Sequence, residues 1–268
     1  MSSPRRGSCI LDDVPWRSLS FAAWLAAGGA LVTSCAKHPA VAPRPAGPCR
    51  DEQVLVEHFC IDRYEDHVVE LDDHGQEHPH SPYEVIGSKR VRAKVAAGVV
   101  PQAYISQVQA RAACAEAGKR LCTADEYIRA CRGPSKQDLY PYGGMQRRAG
   151  ACNEGKGSFV ARAFGQDFSK RTYEEFNDPR LDQMPDGLAP TGSFPRCVSP
   201  DGAYDMVGNL HEWVDEEGGG HGRFRGGWYG DAENNGPGCF YVTSAHEPTY
   251  HDYSTGFRCC SDPGKLAP

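Results

Sequence analysis

The stretch RGGWYGDAENNGPGC, Arg225 to Cys239, has the composition of an active-site approach: paired glycines, two aromatics, an acid and then a cysteine. A cysteine placed there has two uses. As a thiolate it is a nucleophile or a ligand for soft metals, and as half of a disulfide it is inert. A second cluster, DDHGQEHPH, gathers His74, His78 and His80 among acids, and imidazole with carboxylate suits zinc or iron. Histidines crowded into a polar loop are ordinarily solvated, so this cluster ranks below the cysteine. No Ser-His-Asp order, phosphate-cradling glycine loop or dinucleotide fingerprint occurs in the sequence. Neither does a CxxC or a Cys/His set with zinc-finger spacing, which argues against structural zinc. Gly226-Gly227 signals a close backbone approach and no more.

Whether Cys239 is free depends on the compartment. Arg5, Arg6 and Arg17 precede LSFAAWLAAGGALVTS, an apolar run of about 16 residues. That is short of the ~20 a spanning helix needs and matches a secretory leader. VTSC, Val32 to Cys35, resembles a bacterial lipobox, so cleavage is expected before Cys35, leaving it as a lipidated N-terminus. The expected division is a lipoprotein signal peptide over 1–34, a proline-rich tether over 35–48, and one domain over 49–268. Of the 12 cysteines, ten remain after Cys9 and Cys35 are set aside. The number is even and an exported domain is oxidised, so disulfides are the default. The net charge of −6 and the absence of a basic tract exclude nucleic acid as the natural partner.

Two helices must position whatever chemistry there is. The first is predicted over 106–117, opened by a Ser106/Gln109 capping box, with Val108, Ala112 and Ala115 on one face and Gly118 as its stop. The second starts at Thr123, with Glu126 three residues on, and ends before Gly133. VLVEHFCID and RFRGGWY read as strands, separated from their neighbours by Gly, Pro, Asn and Asp. Two helices, short strands and long irregular loops make an α+β domain whose loops need disulfides or metal ions to pin them.

FCIDRYE, AACAEAGKRLCTADEYIRACRG, YPYGG, YDMVGNLHEW, RFRGGWY and GFRC occur in that order between Cys49 and Cys260. Together they resemble the formylglycine-generating enzyme family, the sulfatase-modifying-factor domain. That likeness implies a loop-rich, disulfide-stapled variant of the C-type-lectin fold. It also implies calcium at DMVGNLHE, held by side chains of Asp205 and Glu212 and backbone carbonyls of Gly208 and Leu210. Oxygen donors on a glycine-bearing loop suit a hard cation. A second family cation site would begin near Asn153, but the residues after it match poorly and it is left unassigned. His211, in the same motif, stands where a packing residue is usual. By the same likeness Cys114 pairs with Cys259, and Cys131 with a late-loop residue whose nearest counterpart is Cys239, with Ser244 at an equally good aligned position. Cys49 with Cys60, Cys152 with Cys197 and Cys122 with Cys260 follow by proximity or elimination.

Active members of the family bind copper(I) through two cysteines that follow GGS and use oxygen to convert a substrate cysteine to formylglycine. Here the serine position is Trp228 and the first cysteine position is Asp231. A carboxylate does not replace a thiolate at a copper(I) site. The leader and this departure from the family pattern together lead to the expectation of a non-catalytic envelope lipoprotein, anchored to the membrane and binding a protein, peptide or glycan, with calcium and without copper. The alternative is a sulfatase-activating oxidase or related enzyme with an altered site. Cys239, Asp231 and His246 would be its candidate groups, and the late loop around His246, His251 and Asp252 would form the substrate groove.

Overall fold

The computed structural model describes residues 47–264. The expected leader, Cys35 and most of the tether lie outside the described residues. The chain divides into Met1–Arg44 and Pro45–Pro268, and everything described belongs to the second unit.

Strands β1 (Gln53–Val56) and β2 (Phe59–Asp62) form a hairpin, so VLVEHFCID is two strands and not one. The break falls at Glu57, whose φ of 51° takes it out of extended backbone. β2 continues into a sheet ordered β1-β2-β11-β6, with β6 at Arg120–Leu121 and β11 at Cys259–Ser261. A second sheet is ordered β10-β7-β8-β9, from β7 (His211–Gly218), β8 (His221–Arg225), β9 (Val242–Thr243) and β10 (Thr255–Phe257). β10 runs parallel to β7, placing Thr255 beside His211. The third sheet, β4-β3-β5, uses β3 (His67–Leu71), β4 (Glu77–Pro79) and β5 (Val91–Lys94).

Helix α1 (Gln107–Glu116) and helix α2 (Ala124–Arg132) both open on complete capping boxes, Ser106 with Gln109 and Thr123 with Glu126. Each box satisfies otherwise orphaned first-turn N–H groups, which is why the starts are sharp. α2 stops at Gly133, whose φ of 70° favours glycine and where a Cβ would strike the Pro200 ring at 2.5 Å. The orientation of α1 differs from expectation. Val108, Ala112 and Ala115 face solvent, while Gln107, Ala110, Ala113 and Cys114 are buried. The Cys114–Cys259 bridge draws one side of α1 inward, and the Gln107 amide donates to the Val214 and Glu216 carbonyls at 2.7 and 3.0 Å. Short helices α3 (Phe159–Phe164) and α4 (Tyr173–Phe176), unforeseen from the sequence, lie in the long connection before β7.

Five disulfides join Cys49–Cys60, Cys114–Cys259, Cys122–Cys260, Cys131–Cys239 and Cys152–Cys197. They are the five pairs expected, and the Cys239 alternative is chosen over Ser244. Two of them tie β11 to α1 and to the residue opening the way into α2. Cys152–Cys197 ties together the irregular segment that carries α3 and α4. Among the described residues no helix is long and apolar enough to cross a membrane.

Candidate functional site

The chain after β8 builds the first wall. Gly226 and Gly227, at φ 83° and 74°, end the strand that RFRGGWY suggested. A Cβ on Gly226 would strike the Tyr127 hydroxyl and one on Gly227 would meet the Ala232 Cα at 2.5 Å, so the glycine pair marks a close approach. The turn then runs Trp228 to Asp231, closed by hydrogen bonds between their backbones in both directions. The Asp231 carboxylate caps the second and third residues after it, accepting from the Glu233 and Asn234 N–H groups at 3.2 to 3.3 Å. Cys239 is fully buried and bonded to Cys131. Asp231, Cys239 and His246 are thus given separate duties: a turn cap, a staple and a cavity wall.

All ten cysteines among the described residues are in disulfides. The residues present do not fit copper(I), which wants two thiolates, while this chain has Asp231 at the first cysteine position and every described cysteine in a disulfide.

Beside this turn lies a cavity of about 480 Å³, with Phe224, Trp228, Tyr241, Tyr250 and Tyr253 as aromatic walls. Trp228 meets Tyr253 edge to face at 5.1 Å, and His246 stacks on Tyr250 at 3.8 Å. Read from the sequence as a packing residue, His211 is also part of the lining. It packs on Phe224 at 4.5 Å and Tyr241 at 5.3 Å, but its ring makes no hydrogen bond among the described residues, and Nδ1 is wholly buried. Burial, and then the nearby His246, lowers its pKa to about 3. Asp252 is buried in the same wall, accepting from the Tyr250 hydroxyl at 2.6 Å and from Ser254 N and Oγ at 2.8 and 2.7 Å. Burial raises its carboxyl above the ordinary range. His251 turns elsewhere, to the Asn177 side chain at 2.7 Å.

The DMVGNLHE loop lies behind β7. Asp205, Gly208 and Asn209 all have positive φ, and a Cβ on Gly208 would collide with the Asn153 carbonyl oxygen. Glu212 is fully buried in a two-pronged pair with Arg258, at 2.5 and 2.8 Å. Asp205 accepts from Gly192 N at 2.7 Å. Glu65, missed from the sequence although it ends the motif FCIDRYE, accepts from the Asn209 amide at 2.5 Å and Leu210 N at 3.0 Å. Three buried carboxyls therefore lie near one guanidinium, which bonds Glu212 and acts on the other two through its charge. Glu65 is raised well above the usual range, by burial and then by the charges of Asp205 and Glu212, and burial raises Asp205 to about 6. An excess of buried acid suits the charge of a divalent hard cation, which Asp205, Glu212 and the Gly208 and Leu210 carbonyls would hold, although both Glu212 oxygens here are engaged by Arg258. Asn153 Oδ1 is also buried without a partner, while its amide nitrogen donates to Gly187 O and Asn209 Oδ1 at 3.1 and 2.8 Å.

The histidine cluster does not converge. His78 reaches Asp72 at 3.4 Å and His80 reaches Glu70 at 2.8 Å, an oxygen also held by Lys89. Among the described residues, the one close group of three metal-type ligands is Asp66, Cys114 and Cys259, whose sulfurs are spent on a disulfide.

The model of the sulfatase-modifying factor enzyme 1-like domain matches residues 22–263. The chain belongs to this family. Its α+β architecture is the family's variant of the C-type-lectin fold. It is 32% identical over 117 residues to the inactive C-alpha-formylglycine-generating enzyme 2 of Bos taurus, covering 42% of this chain and 32% of that protein. The Mus musculus protein of that name is 28% identical over 176 residues, 62% of this chain and 50% of the relative. The formylglycine-generating enzyme of Mus musculus is 30% identical over 118 residues, 43% of this chain and 27% of that one. The chain thus spans half or less of these relatives' lengths. Among solved structures it is similar to the Major Tropism Determinant M1 variant, with a TM-score of 0.47, 15% identity, and 84% and 55% of the two chains covered. For PvdO from Pseudomonas aeruginosa the TM-score is 0.44, with 17% identity and coverage of 76% and 80%.

Proposed function

We propose that this protein is a non-catalytic family member, exported and lipid-anchored through Cys35 at the bacterial cell envelope, that holds a protein, peptide or glycan ligand in the aromatic cavity. The observation that carries this reading is the fate of the thiols: Asp231 stands at the copper position, and Cys239 is closed into a bridge with Cys131. Calcium at Asp205, Gly208, Leu210 and Glu212 balances the buried acids and stiffens the loop that leads into β7. Copper(I) titration together with a formylglycine assay on a Cys-x-Pro-x-Arg peptide tests the reading. No stoichiometric copper and no aldehyde is the expected result. Tight copper binding with turnover would overturn it in favour of a sulfatase-activating oxidase.

A further inference from the structure

The two charged groups that line the cavity are both held by neighbours, while four of its neutral polar groups are not. Arg171, the cation of the lining, donates to Glu175 at 2.9 Å and to the Phe164 carbonyl at 2.5 Å, and its Nε, which has no partner, is buried away from solvent. Asp252, its anion, has both oxygens occupied by Tyr250 and Ser254. An anionic ligand therefore meets no available cation, and an ammonium meets no available carboxylate. Against this, the His211 ring, the His246 ring, the Trp228 indole N–H and the Tyr253 hydroxyl make no hydrogen bond to another described residue. His211 is 5% exposed and its Nδ1 is buried without a partner, a cost the ring bears in the free protein. These groups offer donors and acceptors side by side, which is what hydroxyls complement, since each hydroxyl both donates and accepts. Between them stand aromatic faces, whose negative quadrupole suits the weakly positive C–H face of a saturated ring.

We infer that the cavity binds an uncharged sugar residue of a glycan, its C–H face on Trp228 and its hydroxyls hydrogen-bonded to His211 and Tyr253. The inference deepens the ligand-binding reading above and rests on it. A peptide is the poorer occupant, because an extended backbone needs a pairing edge and β9, already paired with β8 on one side, offers only two residues.

The test uses the full chain in polyoxyethylene-ether micelles, avoiding sugar detergents, on an array of neutral, acidic and amine-bearing oligosaccharides, with titration of the best neutral binder. Wild type should bind neutral glycans in preference to charged ones. Trp228→Ala and His211→Phe should each weaken binding at least tenfold. His211→Phe keeps the ring volume, and a melting temperature within a few degrees of wild type shows that it folds. Selective binding of charged glycans, no glycan binding, binding indifferent to both variants, or capture of peptides in place of glycans would each overturn the inference. The formylglycine assay separates the two readings. A chain that makes no aldehyde and binds no neutral sugar leaves the non-catalytic reading standing and this one refuted.

Discussion

Cutting the Cys131–Cys239 bridge tests whether Cys239 is a staple. Its sulfurs close 108 residues of chain, and in the chain-entropy account a loop near that size is worth about 4.7 kcal/mol. The neighbouring bridges reduce that figure. With Cys122–Cys260 intact, the unfolded chain runs nine residues from Cys131 back to Cys122, crosses to Cys260, and runs twenty-one residues down to Cys239. The ring left to close is about thirty residues, for which the same relation gives about 3.6 kcal/mol. Cys131→Ala and Cys239→Ala should therefore each lose about 3–4 kcal/mol, or roughly 6–16 °C in Tm for a domain of this size. Because one constraint is lost in either case, the double variant should fall within about 1 kcal/mol of each single. Guanidinium unfolding under non-reducing conditions measures the losses, and peptide mass mapping identifies the pairs. Additive losses, or rapid alkylation of Cys239 in the folded wild-type chain, would refute the reasoning and return a reactive thiol to the loop.

If Asp205 and its neighbours hold calcium, chelation should lower the melting temperature, by the equivalent of about 2.7 kcal/mol from a hundredfold excess over Kd. Asp205→Asn should abolish that sensitivity, and identical wild-type curves with and without chelator would count against the site. Glu212→Gln is a poorer probe, because it leaves the buried Arg258 without its counter-charge. A separate pH effect is expected at Asp66, whose carboxyl is held well above its ordinary range by burial and then by Asp62, with Lys119 and Arg258 opposing. Above about pH 4 the native state keeps a proton that the unfolded chain releases, so stability falls as pH rises, and Asp66→Asn should flatten that part of the profile. Parallel pH profiles for the two proteins would discount it. Intact mass of the membrane-extracted protein should show a diacylglyceryl addition at Cys35, and an unmodified mature chain would end the lipoprotein proposal.

Features whose cause is local were legible in the sequence. Both helix starts were, because a capping box is complete within four residues, and so was the α2 stop at Gly133. The buried side of α1 was not. Alanines on both faces carry no polarity signal, and the decision belongs to Cys114 and to the Gln107 amide reaching β7. The β4-β3-β5 sheet escaped notice for a related reason: Glu77, His78 and Pro79 are all exposed, so β4 shows no alternation to read. The cavity was less legible still. Its lining comes from α4, β7, β8, the Trp228 turn and the late loop, and no spacing rule connects segments so far apart. Only the His246 and Asp252 loop was foreseen. His211 looked like a packing residue, and its ring does pack; its idle nitrogens are visible only once Phe224 and Tyr241 close around it.

The loop that supplies Trp228 explains why loss of the thiol pair need not cost the cavity. Two thiolates five residues apart hold a loop together only when a metal joins them. Here Asp231 fastens the turn with nothing bound, since its carboxylate accepts from two successive backbone N–H groups and its own backbone pairs with Trp228. Such a cap is worth about 1 kcal/mol. The far end of the loop is fixed by Cys239, whose N–H also donates to the Leu139 carbonyl at 2.9 Å. Between these two anchors Asn235 ties to Tyr241 and Thr243 at 3.2 Å each, setting Tyr241 against His211. The acid at the family's first cysteine position is thus the same acid that shapes the wall. The walls of the cavity are thus held by the chain itself, as the proposed ligand-binding role requires.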